Sequence, residues 1–170
     1  MEYYCLMVKT GAEKKFRDDA IKIFEPDFPE SQFYSFERKL YTRRRGWFEA
    51  PLFPGYIFFS AQELTVPVLE LLKTVKGFYK ILRDNQNPVK ISGNSLEELK
   101  LFISNGEHWG ISKIQFLPGQ KIKAISGPLV GLEGHIVAVN KKKKQITVQS
   151  SLTFDGKRFD LLYEDAQSVE

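Results

Sequence analysis

Three short stretches hold the residues with chemistry to offer. "TRRRGW", Thr42 to Trp47, sets Arg43, Arg44 and Arg45 beside an indole, and "NKKKKQ", Asn140 to Gln145, runs Lys141, Lys142, Lys143 and Lys144 together. Guanidinium groups pair with phosphate and stack on bases, and consecutive lysines repel one another unless solvent or an anion compensates. Two readings therefore stand for each stretch: a solvated turn, or a contact with nucleic-acid phosphates. The third stretch, "PLFPGYIFFS", Pro51 to Ser60, is greasy. Successive side chains of a strand point to opposite faces, so Phe53, Tyr56, Phe58 and Phe59 make both faces of any strand here apolar. Either the second face is an uncovered patch of the kind that marks an interface, or another part of the chain folds over it.

Covalent chemistry is not signalled. The chain lacks a GxGxxG fingerprint, a phosphate-binding GxxxxGKS or GxxxxGKT, HExxH and CxxC. Two histidines and one cysteine do not suggest a metal site, and no cofactor or catalytic residue is expected. His108 and His135 read as ordinary polar residues. The lone Cys5 excludes an internal disulfide, and the start "MEYYCLMVKTG" has no secretory pattern, so a cytoplasmic protein with no membrane partner is expected. A formal net charge of +4 favours a polyanionic partner.

The elements that must carry these residues follow from periodicity. Tyr3 to Lys9 alternates as a strand. Thr10 and Glu13 have capping-box spacing before a helix bearing Phe16, Ala20 and Ile23, which Pro26 stops. Gln32 to Tyr41 reads as a strand, the basic turn follows, and the FPGY stretch is the next strand. Pro67 opens a helix with Val68, Leu69, Leu72 and Val75 on one side. "GFYKIL" is a further strand, and Ser95 with Glu98 repeats the capping-box spacing before a third helix. The order β-α-β-β-α-β-α predicts an α+β domain, an antiparallel sheet with helices on one face in a split βαβ arrangement. Residues 107–116 lack a sustained period and read as a linker. Beyond them "KIKAIS", "GHIVAVN", "QITVQSSL" and "RFDLLY" recur between turns, the pattern of a small all-β barrel. In "GPLVGLEG", Gly127, Gly131 and Gly134 read as a tight connection, with Leu129 and Leu132 as packing anchors.

"YYCLMVKTGAE", "PLFPGYIFF" and "LLKTVKGFYKIL", in that order, resemble the N-terminal (NGN) domain of the NusG family of transcription elongation factors. "FLPGQKIKAISGPLVGLEGHIVAVN" resembles the SH3-like KOW domain of the same family. The resemblance implies an NGN domain over 1–106, a linker over 107–116 and a KOW domain over 117–170. It also implies docking of the NGN domain on the clamp helices of the largest catalytic-core subunit of RNA polymerase, through Phe53, Tyr56 and Tyr3. Tyr3 stands where many relatives carry tryptophan. Nucleic-acid candidates, for nascent RNA or non-template DNA, are Arg43, Arg44 and Arg45, then Lys14, Lys15 and Arg17 on the first helix, and Lys121, Lys123 and Lys141 to Lys144 on the barrel. Family KOW domains also bind the termination factor Rho or a small-subunit ribosomal protein. A monomer is expected. The basic turns and Tyr3 point toward a specialised antitermination paralogue of the RfaH/LoaP type. The competing reading is a KOW-containing RNA-binding component of the ribosome.

Overall fold

The computed structural model describes residues 1–119 and 121–166; Gln120 and 167–170, at the start and end of the expected KOW domain, lie outside the described residues. The fold is α+β, as expected, and divides into two compact units. One comprises Met1–Phe36 and Phe53–Lys100, the other Glu37–Leu52 and the chain from Leu101 onward.

In the first unit β1 (Glu2–Val8) lies between β5 (Tyr56–Ala61) and β6 (Phe78–Ile81), and β2 (Gln32–Tyr34) adds to the far side of β5. All three pairings are antiparallel. β1 and β2 therefore run parallel with β5 between them, joined through helix α1 (Glu13–Phe24), and β5 and β6 run parallel with β1 between them, joined through α2 (Val66–Thr74). These are two interlocked split βαβ units. Alternate residues Tyr4, Leu6 and Val8 of β1, and Ile57, Phe59 and Ala61 of β5, form one buried core with Phe16, Ala20 and Phe24 of α1 and Val68 and Leu72 of α2. Phe24 meets Phe33 edge-on at 5.0 Å and Phe59 at 5.7 Å. Such ring pairs contribute about 1 kcal/mol each beyond the area they bury.

Neither helix starts where its capping box is expected. α1 begins at Glu13, with Ala12 at the cap position and no side-chain cap bond. The Glu13 carboxylate is instead buried and accepts from the Gly11 N–H at 3.0 Å and the Gly55 N–H at 2.8 Å, so a tertiary bond replaces the local one. Helix α3 (Gly93–Ser104) starts ahead of Ser95, which lies inside its first turn. At α2 a side-chain cap forms, where Thr65 Oγ1 accepts from the Val68 N–H at 3.4 Å ahead of Pro67.

The second unit holds a hairpin of β3 (Glu37–Thr42) and β4 (Gly46–Pro51), extended in parallel by β7 (His108–Trp109) on β3. The rest is a five-stranded sheet, ordered β10-β11-β12-β8-β9, of β8 (Ser112–Leu117), β9 (Lys121–Ser126), β10 (Ile136–Asn140), β11 (Gln145–Gln149) and β12 (Arg158–Asp165). Trp109, Phe102 and Phe159 pack edge-on inside this unit, with Phe102 and Trp109 centroids 4.7 Å apart. The all-β character agrees with the sequence pattern, but two boundaries differ from it. Residues 107–116 contain β7 and most of β8 rather than irregular chain, and the hairpin 37–52 groups with the C-terminal strands instead of the first sheet. β7 is only two residues long, and its pairing with β3 is remote in sequence, so local periodicity carries no trace of it.

"GPLVGLEG" is a packed connection. Gly127 has φ +91°, and a Cβ there would lie 2.7 Å from Ser112 Cα, while Leu129 and Leu132 are fully buried.

Candidate nucleic-acid interface

The basic hairpin tip owes its shape to local bonding. Thr42 pairs with Gly46 across the turn, and Thr42 Oγ1 accepts from the Arg45 N–H at 3.1 Å. Gly46, at φ +70°, supplies the left-handed position that closes it. Arg45 turns back over the Phe48 ring, 3.9 Å from its centroid, whereas Arg43 and Arg44 are exposed and have no ion pair among the described residues. One step in from the turn, Tyr41 and Trp47 face each other across the hairpin with centroids 5.2 Å apart. Both are about half exposed, and Lys39 Nζ sits 4.7 Å over the Trp47 ring. Arg38 anchors the base of the hairpin: its guanidinium donates to the Pro51 carbonyl, and burial lowers its pKa against the opposing pull of Asp160.

The lysine run is the turn between β10 and β11. Asn140 Oδ1 accepts from the Lys143 N–H at 3.0 Å, and Lys144 takes φ +54°, the left-handed residue the turn requires. Lys144 forms an ion pair with Asp165, whose hydrogen bond raises the lysine pKa, and its Nζ lies 5.5 Å over the Tyr163 ring. Lys141 lies 4.6 Å over the Phe116 ring. Lys142 and Lys143 are exposed, with no ion pair among the described residues.

Folding of this unit brings the two turns to one place. A cleft of about 1020 Å³ is lined by Arg43, Trp47 and Tyr41 from the hairpin and by Lys142, Lys143 and Lys144 from the lysine turn. Ile111, Leu162 and Tyr163 add apolar wall. No carboxylate lines it among the described residues. Tyr163 is buried, its hydroxyl has no hydrogen-bond partner among the described residues, and that burial raises its pKa. The sequence pointed to Arg43 and the lysines separately. Their convergence, and the roles of Tyr41 and Tyr163 as lining groups, were not foreseen. The signal available for Tyr41 was symmetry about TRRRG, which sets it opposite Trp47.

The remaining cationic candidates lie elsewhere. Lys15 pairs with Asp19 at 3.0 Å and Arg17 with Asp18 at 2.7 Å on α1, so helix carboxylates already meet two of those charges, and Lys14 is exposed. Lys121 and Lys123 are exposed on β9. His108 Nδ1 lies 3.4 Å from Glu37 and 3.5 Å from Glu49, a cluster that ties β7 to the hairpin.

The aromatic docking candidates occupy the sheet face opposite α1 and α2. Part of this face is buried. Cys5 and Phe58 are fully buried, Phe53 is 2% exposed and meets Phe58 edge-on at 5.4 Å, and Phe36 packs on Phe58 at 5.7 Å. Of the FPGY aromatics, Phe53, Phe58 and Phe59 are buried and Tyr56 is half-buried. Tyr56, paired with Met7, and Tyr3, paired with Ser60, are half-buried.

Residues 1–100 match the family model NusG, described as transcription termination factor nusG, and the chain belongs to this family of transcription factors. Its fold is similar to that in "Domain interaction in Thermotoga maritima NusG", with 18% identity over 95% of this chain and 93% of that chain and a TM-score of 0.59. A chain of the "MjSpt4:Spt5 complex conformation B" aligns over 94% of this chain and 91% of that one, at 14% identity and a TM-score of 0.36.

Proposed function

We propose that this chain is an elongation and antitermination factor that holds RNA polymerase through an NGN domain, residues 1–106, and a second macromolecule through a KOW domain, residues 117–170. The observation that carries the reading is the family match over residues 1–100, which contains β1, the FPGY turn and β5 whole. Tyr56, Tyr3 and Phe53 form the docking surface for the clamp helices of the largest polymerase subunit. Phe53 is buried in this structure, so its part in docking requires a conformation that uncovers it, whereas Tyr56 and Tyr3 are already partly accessible.

The cationic cleft, with no carboxylate among its described lining residues, favours nascent RNA or non-template DNA as the second partner over Rho or a small-subunit ribosomal protein, and with it a specialised antitermination role of the RfaH/LoaP type. The factor works by binding, as a cytoplasmic monomer, without covalent chemistry. Transcription through a terminator with and without the protein tests the reading, with retention of polymerase on the immobilised protein measured in parallel. Increased read-through with polymerase retained is expected. Unchanged termination with no polymerase retained overturns it, and recovery with ribosomal particles alone would favour the ribosomal alternative.

A further inference from the structure

We propose that the cleft between the β3–β4 turn and the lysine turn binds a single-stranded polynucleotide, seating bases on Trp47 and Tyr41 and phosphates on Arg43, Lys142 and Lys143. The proposal rests on the reading of the chain as a factor that contacts nucleic acid, and it assigns the site, the strandedness and the groups that take the base.

Three features converge on that ligand. The first is charge without compensation: Arg43, Lys142 and Lys143 border one cleft, have no ion pair among the described residues and face no carboxylate in its lining. An anion entering there replaces self-repulsion with attraction. The second is the aromatic pair. Trp47 and Tyr41 are 54% and 49% exposed at the cleft edge, though large rings of this kind are normally buried. Paired bases in a duplex keep their faces stacked on one another, whereas an unpaired base offers a π-face to an indole or phenol, as single-strand binding sites use. The cleft thus offers both rings and cations, as a strand offers both bases and phosphates. The third is the Tyr163 hydroxyl, buried in the wall without an acceptor among the described residues. An unmet donor of this kind costs about 1–3 kcal/mol, and a base or phosphate oxygen beside Lys144 would give it a partner.

The two tryptophans make the test direct, because Trp109 is 2% exposed and Trp47 is the accessible one. The full-length protein is titrated with mixed-sequence eight-nucleotide RNA, the same sequence as DNA, the corresponding duplexes and a polyglutamate peptide, following tryptophan emission and the polarisation of labelled oligonucleotide. Saturable quenching by single strands is expected, and the RNA and DNA arms identify the natural source. Trp47→Ala should weaken binding at least about fivefold, and Trp47→Tyr, which keeps a ring, should restore most of it. Lys142→Ala with Lys143→Ala should lower the log–log salt slope by about 1.4. The proposal is overturned if duplexes bind as tightly as single strands, if polyglutamate displaces the oligonucleotide at equal charge, or if folded Trp47→Ala binds as well as the parent. Polymerase retention by the same variants separates the two ideas: loss of oligonucleotide binding with polymerase still held removes the cleft and leaves the docking reading in place.

Discussion

The carboxylate of Glu13 accepts a hydrogen bond from the backbone N–H of Gly55 at 2.8 Å, joining the first turn of α1 to the Pro-Gly turn that launches β5. The same carboxylate accepts from the Gly11 N–H at 3.0 Å, and Glu13 is only 6% exposed. One acidic group therefore fixes the loop that carries Tyr56 and the loop that carries Lys9 and Thr10.

Glu13→Ala should remove this clamp and leave two backbone donors without their acceptor. Charge-assisted bonds of this kind contribute about 1.5–3 kcal/mol, so a loss of that order is expected in urea unfolding, with Glu13→Gln falling between the two. If Glu13→Ala unfolds at the parent midpoint, solvent has taken over both donors and the clamp is not stabilising.

Phe53→Ala and Tyr56→Ala should behave differently. Truncating a buried phenylalanine costs about 3–5 kcal/mol, so Phe53→Ala should lower the melting temperature markedly whatever it does to docking. A double substitution would confound folding with binding. The half-buried Tyr56 is the cleaner probe: Tyr56→Ala should retain a cooperative unfolding transition while weakening polymerase binding about 30-fold. Equal affinity of folded Tyr56→Ala and parent would take Tyr56 off the docking surface.

Gly127→Ala should be among the most damaging single-methyl changes. The added Cβ would sit 2.7 Å from Ser112 Cα and 2.9 Å from the Ile111 carbonyl oxygen, and φ of +91° already disfavours any side chain. Backbone strain and overpacking together should cost about 2–4 kcal/mol. Gly134→Ala, with nothing within 4 Å of its Cβ, is the control that should unfold near the parent.

Stability should fall in alkali. Burial, with the nearby Glu2 carboxylate, pushes the Tyr4 hydroxyl from 10.0 up to about 12. The unfolded chain thus loses this proton before the folded one does, and the stabilisation present below pH 10 is lost as pH rises toward 12. Tyr4→Phe should flatten that decline. Equilibrium unfolding across this range, with phenolate absorbance as the monitor, checks both statements.

Much of the first sheet was legible because its strands and helices are strongly periodic: Tyr4, Leu6 and Val8 alternate toward the core, and Val68 and Leu72 recur on one side of α2. The first capping box was misplaced because Glu13 has a better partner in Gly55, far along the chain, than in Thr10, and the second because α3 starts two residues ahead of Ser95. β4 was missed because "GWFEAP" has weak alternation of its own and is held by register with β3. For the candidate site, each basic turn was readable from composition, whereas their meeting in one cleft goes with the packing of β3 against β7 and β12, contacts remote in sequence and without a local signature.

That small parallel pairing governs how the molecule can be dissected. The backbone enters the C-terminal unit once through Glu37–Leu52, returns to the first unit, and enters again after Lys100. A truncation between residues 100 and 107 would keep the hairpin but remove the strand that zips onto its edge and the lysines opposite its tip, exposing unpaired peptide groups prone to stick to other copies. The isolated C-terminal fragment would in turn lack half of its own cleft. Assays that recombine halves cut at this seam would report on two damaged pieces.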